Sequence, residues 1–441
     1  MKCRLLATTF PGRAGSLIGG RELGTLWGVA THRVTDATFR RRRLACLALV
    51  GAAVVGGAVG IQADRPGADP AATTRADAGP SLARPTMVAP SPPTTTAAGP
   101  ETITLAFAGD ILTHGPVNAA ARGFGAGSGA AYDYAPMFAP LATILSGTDL
   151  PLCHLEVPLA PTAEQISGYP VFGAPGELIA GIASAGYRGC STASNHALDK
   201  GVAGVQATLD TFDRHRLGHA GTARTADEAA TPRIYDVRGA QVAHLSYSYG
   251  FNGIQPPPDA PWAANPIDAP RIVADAGQAR AAGADLVVVS LHWGTEGQAA
   301  PDTQQQALAP VLAASADIDL LVGHHAHVVQ PIQRINGKIV IFGLGNQLSN
   351  QRSPAQLDGL TAIATATRDA TGRYAVTAVE AVPTWMDKSG WRVLPVTSTL
   401  ADPSAPAGLR QQLVASYQRT MATLTGAGPV EGLTAAPLPP G

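Results

Sequence analysis

The stretch Leu320-Leu-Val-Gly-His-His-Ala-His-Val-Val-Gln-Pro331 joins an apolar run to three imidazoles within four positions. Residues 318–322, Ile-Asp-Leu-Leu-Val, read as a buried strand, and His324, His325 and His327 follow at its carboxyl end. That arrangement delivers several nitrogen donors to one point, which is what a transition-metal site requires.

The same pattern recurs upstream. Ile103-Thr-Leu-Ala-Phe-Ala108, Asp149-Leu-Pro-Leu-Cys153, Tyr187-Arg-Gly-Cys-Ser191, Val242-Ala-His-Leu-Ser-Tyr247 and Leu286-Val-Val-Val-Ser-Leu291 read as strands. Between them 141–145, 177–186, the stripe Val202, Val205, Leu209 and Phe212, 272–282 and 303–314 read as helices. Repeated βα units with Val/Ile/Leu-rich strands predict an α/β domain with a mainly central sheet flanked by helices. Later β segments near 338–342, 360–366 and 374–382 come without helices and predict a second sheet packed on the first. The fold class expected is therefore a layered α/β/β/α sandwich.

In open α/β sheets, ligands bind at the carboxyl ends of the strands. Those ends read Gly109-Asp110, His154-Leu-Glu156, Ser194-Asn-His196, His292-Trp-Gly-Thr-Glu296 and Gly323-His-His-Ala-His327. A single strand-end Asp is more often a turn former than a ligand. Five polar ends in series on one edge predict a site. The donors are mixed oxygen and nitrogen with no thiolate, which suits one or two divalent transition ions (Mn, Fe or Zn) better than a structural zinc.

This ordered series resembles the calcineurin-type metallophosphoesterase plan, and more closely the bacterial CapA, or poly-γ-glutamate capsule synthesis, family. The resemblance rests on Ala108-Gly-Asp-Ile111, Cys153-His-Leu-Glu-Val-Pro-Leu159, Ser191-Thr-Ala-Ser-Asn-His-Ala-Leu-Asp-Lys-Gly201, Leu291-His-Trp-Gly-Thr-Glu296, Gly323-His-His-Ala-His-Val-Val-Gln330 and Gly343-Leu-Gly-Asn-Gln347. It covers roughly 103–350 and implies a sandwich of metallophosphatase type with two metal ions. The CapA pattern often has Asn where His154 stands and Pro where Ala326 stands. The wider plan opens with Asp-x-His, whereas Asp110 is followed by Ile111 and Leu112, so one expected ligand is missing; His114 is either its replacement or an ordinary loop histidine.

Residue by residue, the resemblance implies Asp110, Glu156 and Asn195 as oxygen ligands and His292 and His327 as nitrogen ligands, joined by His325 or His324. His196 would be the general acid that protonates a leaving oxygen, or a residue that orients Asn195. His114, His154, Trp293, Glu296, Gln330 and Asn346 would support the site or shape its pocket, and the long loop from Ser246 through Pro258 would carry substrate contacts.

The remainder of the chain bears on location. Arg40-Arg-Arg-Arg43 precedes Leu44–Ile61, eighteen residues without charge. Its length suits a signal peptide or a membrane anchor, and the arginines place the chain beyond residue 62 outside the cytoplasm, membrane-anchored or secreted. Residues 1–43 would be cytoplasmic and 44–61 would engage the cytoplasmic membrane. The Pro/Ala/Thr-rich 62–100 reads as a disordered spacer, 101–425 as the folded domain and 426–441 as a disordered tail. With Cys3 and Cys46 ahead of the exported part, Cys153 and Cys190 remain, each at a strand end; they could form a disulfide in an oxidising compartment or serve as small buried side chains. A formal net charge of −1, with no basic stripe interleaved with aromatics, points away from nucleic acid.

Two functions from different classes fit. One is an exported, tethered, metal-dependent hydrolase acting on an envelope polymer or a phosphoester, beside membrane-embedded capsule synthesis subunits. The other is a non-catalytic surface binding domain with a vestigial metal site. Fold alone does not fix the reaction.

Overall fold

A computed structural model describes residues 100–426 and 428–439. The segments 1–43, 44–61 and 62–99, and with them Cys3 and Cys46, lie outside the described residues. Among the described residues no helix is long and apolar enough to cross a membrane.

In chain order the strands are β1 (Thr102–Ile111), β2 (Leu150–Leu155), β3 (Gly189–Ser191), β4 (Gly218–Ala220), β5 (Arg233–Val237), β6 (Ala240–Ser248), β7 (Leu286–His292), β8 (Leu320–His324), β9 (Ile332–Ile335), β10 (Lys338–Ile341), β11 (Asn346–Leu348), β12 (Asp358–Arg368), β13 (Tyr374–Asp387), β14 (Arg392–Pro395) and β15 (Leu433–Ala435). They build two sheets. One runs β14-β13-β12-β1-β2-β3-β4, with β11 beside β1 and β15 beside β13; the other runs β5-β6-β7-β8-β10-β9. Strands β1 to β4 are parallel, as are β6, β7, β8 and β10.

The second sheet is not where the sequence placed it. It consists of the middle βα units, while the late strands β12 and β13 return to the first sheet and pair antiparallel beside β1. Strand β12 alternates inward Leu360, Ala362, Ala364 and Ala366, small enough to sit against β1 and face the other sheet. The tail read as disordered supplies β15, parallel to β13, with Val430, Leu433 and Ala435 packed on the core. Its Pro/Ala/Gly composition hid that pairing.

Three apolar layers give the α/β/β/α order. Helices Gly115–Ser128 and Glu177–Ala185 cover the outer face of the first sheet through Val117, Ala121, Leu178 and Ile182. Helices Ala269–Ala281 and Thr303–Ala313 cover the second through Ile272, Ala276, Ala309 and Leu312.

Between the sheets, side chains of alternate residues change character along the strands. At one pole they are Leu105 and Phe107, Leu150 and Leu152, Val242, Leu286 and Val288, Leu320 and Val322. Two residues further on, the same faces carry His154, His244, Ser290 and His324, with His292 two beyond Ser290, all buried. The sandwich is filled by hydrocarbon at one pole and by imidazoles at the other. In register, Ser246 lies beside Ser290, Ser248 beside His292, and His292 beside His324.

Candidate metal centre

The polar strand ends belong to two sheets facing one another, not to a single edge. Asp110, His154 and Ser191 come from the first sheet, His292 and His324 from the second. Facing sheets can surround a point, which one sheet edge cannot.

Asp110 is fully buried. Its Oδ2 accepts the His325 backbone N–H at 3.0 Å and lies 3.1 Å from His327 Nδ1. Its Oδ1 is 3.2 Å from His324 Nδ1, without the alignment that a hydrogen bond needs. Burial pushes this carboxyl up, but the His324 and His327 imidazoles outweigh it and hold it well below the usual range. Gly109 has no room for a side chain: a Cβ there would run into the carbonyl of Gly345, the same oxygen that accepts the Asp110 N–H at 2.9 Å.

His154 Nδ1 shares a 2.8 Å hydrogen bond with Ser191 Oγ, and its Nε2 is 2.9 Å from His292 Nδ1. His324 stacks on His154 at 4.0 Å between ring centroids. His292 Nε2 meets Asn195 Oδ1 at 2.9 Å. Burial holds His154 and His292 well below 6.5, and neighbouring imidazoles add to it. Burial, with help from His327, holds His325 down to about 3. These rings are neutral at pH 7, the form that binds a metal.

His327 differs. Burial would lower it, but Glu156 and Asp110 raise it to about 9. Its Nε2 is 3.6 Å from Glu156 Oε1, and its Nδ1 is 3.0 Å from Asn346 Oδ1. Burial pushes Glu156 well above the carboxylate range. His325 and His327 have φ of 86° and 56°, a left-handed backbone that only glycine adopts freely. Such strain of roughly 1–3 kcal/mol per residue clusters at functional sites.

The donor set fits a divalent metal. Asp110 Oδ1, both Glu156 carboxylate oxygens, His324 Nδ1 and His325 Nδ1 are buried with no hydrogen-bond partner. Buried polar groups are satisfied in the large majority of cases, so five unpartnered atoms in one cluster are what a cation's ligands look like. The atoms group as Asp110 with His154 and His324, His154 with Glu156 and His292, and Glu156 with His325 and His327. His324 and His325 thus fall in different groups. His154, assigned a supporting role on the sequence, belongs to two of the three.

The other expected residues lie outside these donor groups. Trp293 is in the core under helix Thr303–Ala313, donating to the Phe342 carbonyl at 3.0 Å, and does not shape the pocket. Gln330 faces Gln305 and the carbonyls of Gln298 and Ala300, and so fixes the 294–302 loop rather than the centre. Glu296 is exposed at the rim. His114 belongs to none of the donor groups among the described residues; its Nδ1 accepts the Asn350 N–H at 3.2 Å, and burial holds it down to about 4. His196 Nδ1 pairs with Asp199 Oδ2 at 2.7 Å while Phe172 packs edge-on against the ring at 4.7 Å.

Asp199, Ser191, Phe172 and Tyr249 were not singled out by the sequence. Asp199 is three residues beyond His196, a spacing that could have flagged it. Tyr249 lies in the loop already expected to touch substrate, with its ring 4.6 Å from His325. Cys153 and Cys190 are directly paired across β2 and β3 and are disulfide-bonded.

The family pattern described as "Bacterial capsule synthesis protein PGA_cap" matches residues 104–351, more than half of the chain. This chain belongs to that family. Among its relatives, "PGA biosynthesis protein CapA" of Bacillus subtilis (strain 168) is 31% identical over 192 residues, 43% of this chain and 50% of the relative. "Capsule biosynthesis protein CapA" of Bacillus anthracis is 30% identical over 178 residues, 40% and 43% of the two chains. The PGA_cap chain thus spans half or less of the length of those curated relatives in the matched region. Solved structures similar to it include the NAD nucleotidase NadN of Haemophilus influenzae, with a TM-score of 0.42 at 11% identity over 73% of this chain and 60% of that one. Another is the calcineurin-like phosphoesterase YfkN of Bacillus subtilis, with a TM-score of 0.37 at 13% identity over 73% and 98%.

Proposed function

We propose that this PGA_cap protein is an exported, membrane-tethered, metal-dependent hydrolase of the metallophosphoesterase type, acting in the synthesis or export of an envelope polymer. The observation that carries the reading is the set of five buried, unpartnered donor atoms on Asp110, Glu156, His324 and His325. The capsule-biosynthesis names of the two Bacillus relatives support the capsule context, and Arg40–Arg43 ahead of 44–61 supports export through a signal or anchor.

Divalent ions bound here would supply Lewis acidity toward a phosphoryl or acyl oxygen and lower the pKa of water. Asp110, His154, Glu156, His292, His324, His325 and His327 would hold two such ions, and the overlap of the three groups at His154 and Glu156 suits a shared pair. Ser191 fixes the His154 ring through Nδ1 and leaves Nε2 toward the centre. Asn195 stands over His292, and Asn346 steadies His327. Asp199 holds His196 by Nδ1, so Nε2 is the nitrogen that would give a proton to a leaving oxygen. Phe172 blocks rotation of that ring from one side.

The test is metal content and turnover. The purified protein incubated with Mn, Fe or Zn should retain one to two ions per chain, measured by plasma mass spectrometry. Asp110→Ala combined with His327→Ala should retain none. The loaded protein should hydrolyse at least one phosphomonoester or phosphodiester, and His196→Gln should lose that activity while keeping its metal. Wild-type protein that stays metal-free after incubation would sink the reading.

A further inference from the structure

The edge of the second sheet has a gap. Strand β5 covers β6 only as far as the pair Arg233 and His244. The next partner on that edge is Asn265, whose Nδ2 donates to the Ser246 carbonyl at 3.4 Å and whose carbonyl accepts the Ser248 N–H at 2.9 Å. Between them lies a cavity with about 60 Å³ open to the centres of water-sized molecules. At about 10–15 Å³ for each water, that is room for roughly four or five. Arg233, His244 and Ser246 wall it on one side and the chain from His219 to Ala223 on the other. None of these residues belongs to the three donor groups of the metal centre.

The wall is polar and unsatisfied. Arg233 and His244 are direct cross-strand partners, so their side chains share one face, the one Tyr235 and Val242 turn to the space between the sheets. Ser246, two residues past His244, takes the same face. Its Oγ looks at Gly221, where a Cβ would lie 2.8 Å from it. Arg233 Nε, His244 Nδ1 and Ser246 Oγ are all buried with no hydrogen-bond partner, and His244 and Ser246 are each 1% exposed. Buried polar atoms are paired in the large majority of cases, so three on one cavity wall point to an occupant.

Charge narrows what that occupant is. Two acids line the cavity, and both are engaged. Glu228 accepts from Arg224 through both carboxylate oxygens, and Asp275 accepts from Tyr247 and Arg271. His219 Nε2 is turned to Asp213 and Glu228, 3.7 Å from each. His244 is neutral, held down to about 3 by burial. Arg233 is the remaining charge, and among the described residues it has no ion-pair partner. A guanidinium keeps its charge at any physiological pH, and its planar fork matches a carboxylate. The two acids would repel a second negative charge, which disfavours a phosphate dianion.

We infer that this gap is a second binding site, distinct from the metal centre, for the carboxylate of a small molecule held by Arg233, with the Ser246 hydroxyl as a further donor. The inference stands apart from the hydrolase reading, because no metal ligand takes part in it.

The experiment is a titration of the purified protein with carbon-13-labelled acetate at pH 7 and fixed ionic strength, followed by nuclear magnetic resonance, once in chelator and once with Zn. Acetate should bind saturably in both, with a Kd of about 1 mM, within reach of a four-atom ligand. Arg233→Gln should weaken it about tenfold or more, the scale of a hydrogen bond to a charged group, and Ser246→Ala about threefold. Arg188→Gln, a change at an exposed arginine outside the cavity lining, should leave it within about twofold. If the glutamine variant does not fold, Arg233→Lys serves instead: it keeps the charge without the fork and should weaken acetate about threefold. Inorganic phosphate should bind about tenfold more weakly than acetate. Absence of saturable binding, binding seen only with Zn, an affinity that Arg233→Gln or Arg233→Lys leaves unchanged, or phosphate bound as tightly as acetate overturns the inference. Metal retention and ester hydrolysis are read separately, so either reading can fail while the other stands.

Discussion

Replacing Glu156 with glutamine separates a metal ligand from an ordinary buried carboxylate. Both Glu156 oxygens are buried without a hydrogen bond, and burial holds the group well above the carboxylate range. A buried unsatisfied polar group costs about 1–3 kcal/mol. Part of that is offset by attraction to the His327 imidazole, 3.6 Å away and raised to about 9. Glutamine keeps the shape and is as buried, but it has no carboxyl held above its ordinary pKa, so at neutral pH and without metal Glu156→Gln should be as stable as wild type or more stable by up to about 2 kcal/mol. A domain of this size moves roughly 2 °C per kcal/mol, so its melting temperature should rise by about 0–4 °C. The metal-loaded comparison reverses the order. An ion at a hundred times its Kd stabilises the wild type by about 2.7 kcal/mol, and the variant should lose most of that increment. Calorimetric melts of both proteins, with chelator and with Mn or Zn, give all four values. A variant that melts well below wild type in chelator yet keeps the full metal increment would refute the assignment of Glu156 as a ligand held in waiting.

Three further outcomes are expected. Asp199→Asn should lower kcat by less than His196→Gln, which should cost about 10²–10⁴-fold, the usual contribution of a positioned acid; equal kcat in all three proteins would remove His196 from the chemistry. Gly109→Ala should destabilise by about 1–3 kcal/mol and weaken metal binding, because the new methyl meets the Gly345 carbonyl and moves Asp110; denaturant titration with unchanged midpoint and metal affinity would contradict this. Burial, aided by Arg233 and opposed by Glu228 and Asp213, holds His219 down to about 4 against an ordinary 6.5. The unfolded chain then binds more protons between those values, so stability is lost as pH falls from 6.5 towards 4, by at most about 3 kcal/mol. His219→Gln should flatten that slope, and a slope identical to wild type would count against it.

The strands that carry the centre were readable because each pairs a Val/Ile/Leu run with polar residues at its end, as in Leu286–His292 and Leu320–His324. Their distribution over two sheets was not, since Ala362 and Ala364 of β12 carry no signal that they return to β1 rather than join Val340. Short strands such as Gly218–Ala220 and Leu433–Ala435 are below the length at which periodicity speaks, and their pairing is set by neighbours. Asp110, Glu156, His292 and His327 were visible as residue types at strand ends. Trp293 and Gln330 misled for one reason: adjacency in sequence to a ligand says nothing of which face a side chain takes. Trp293 follows His292 and so points to the opposite side of β7. Asp199 was overlooked although it lies one turn past His196.

The change of character between the sheets makes the molecule unequal along its own axis. Between the sheets the hydrocarbon pole, with Leu105, Leu152, Val288 and Val322, is held by apolar contact, while the imidazole pole gathers buried rings that disfavour one another's protonation and that a cation would draw together. Partial opening is cheapest where apolar contacts are fewest. The histidine pole should therefore part and close more readily than the leucine pole, and an ion held there would enter and leave by local opening rather than by global unfolding.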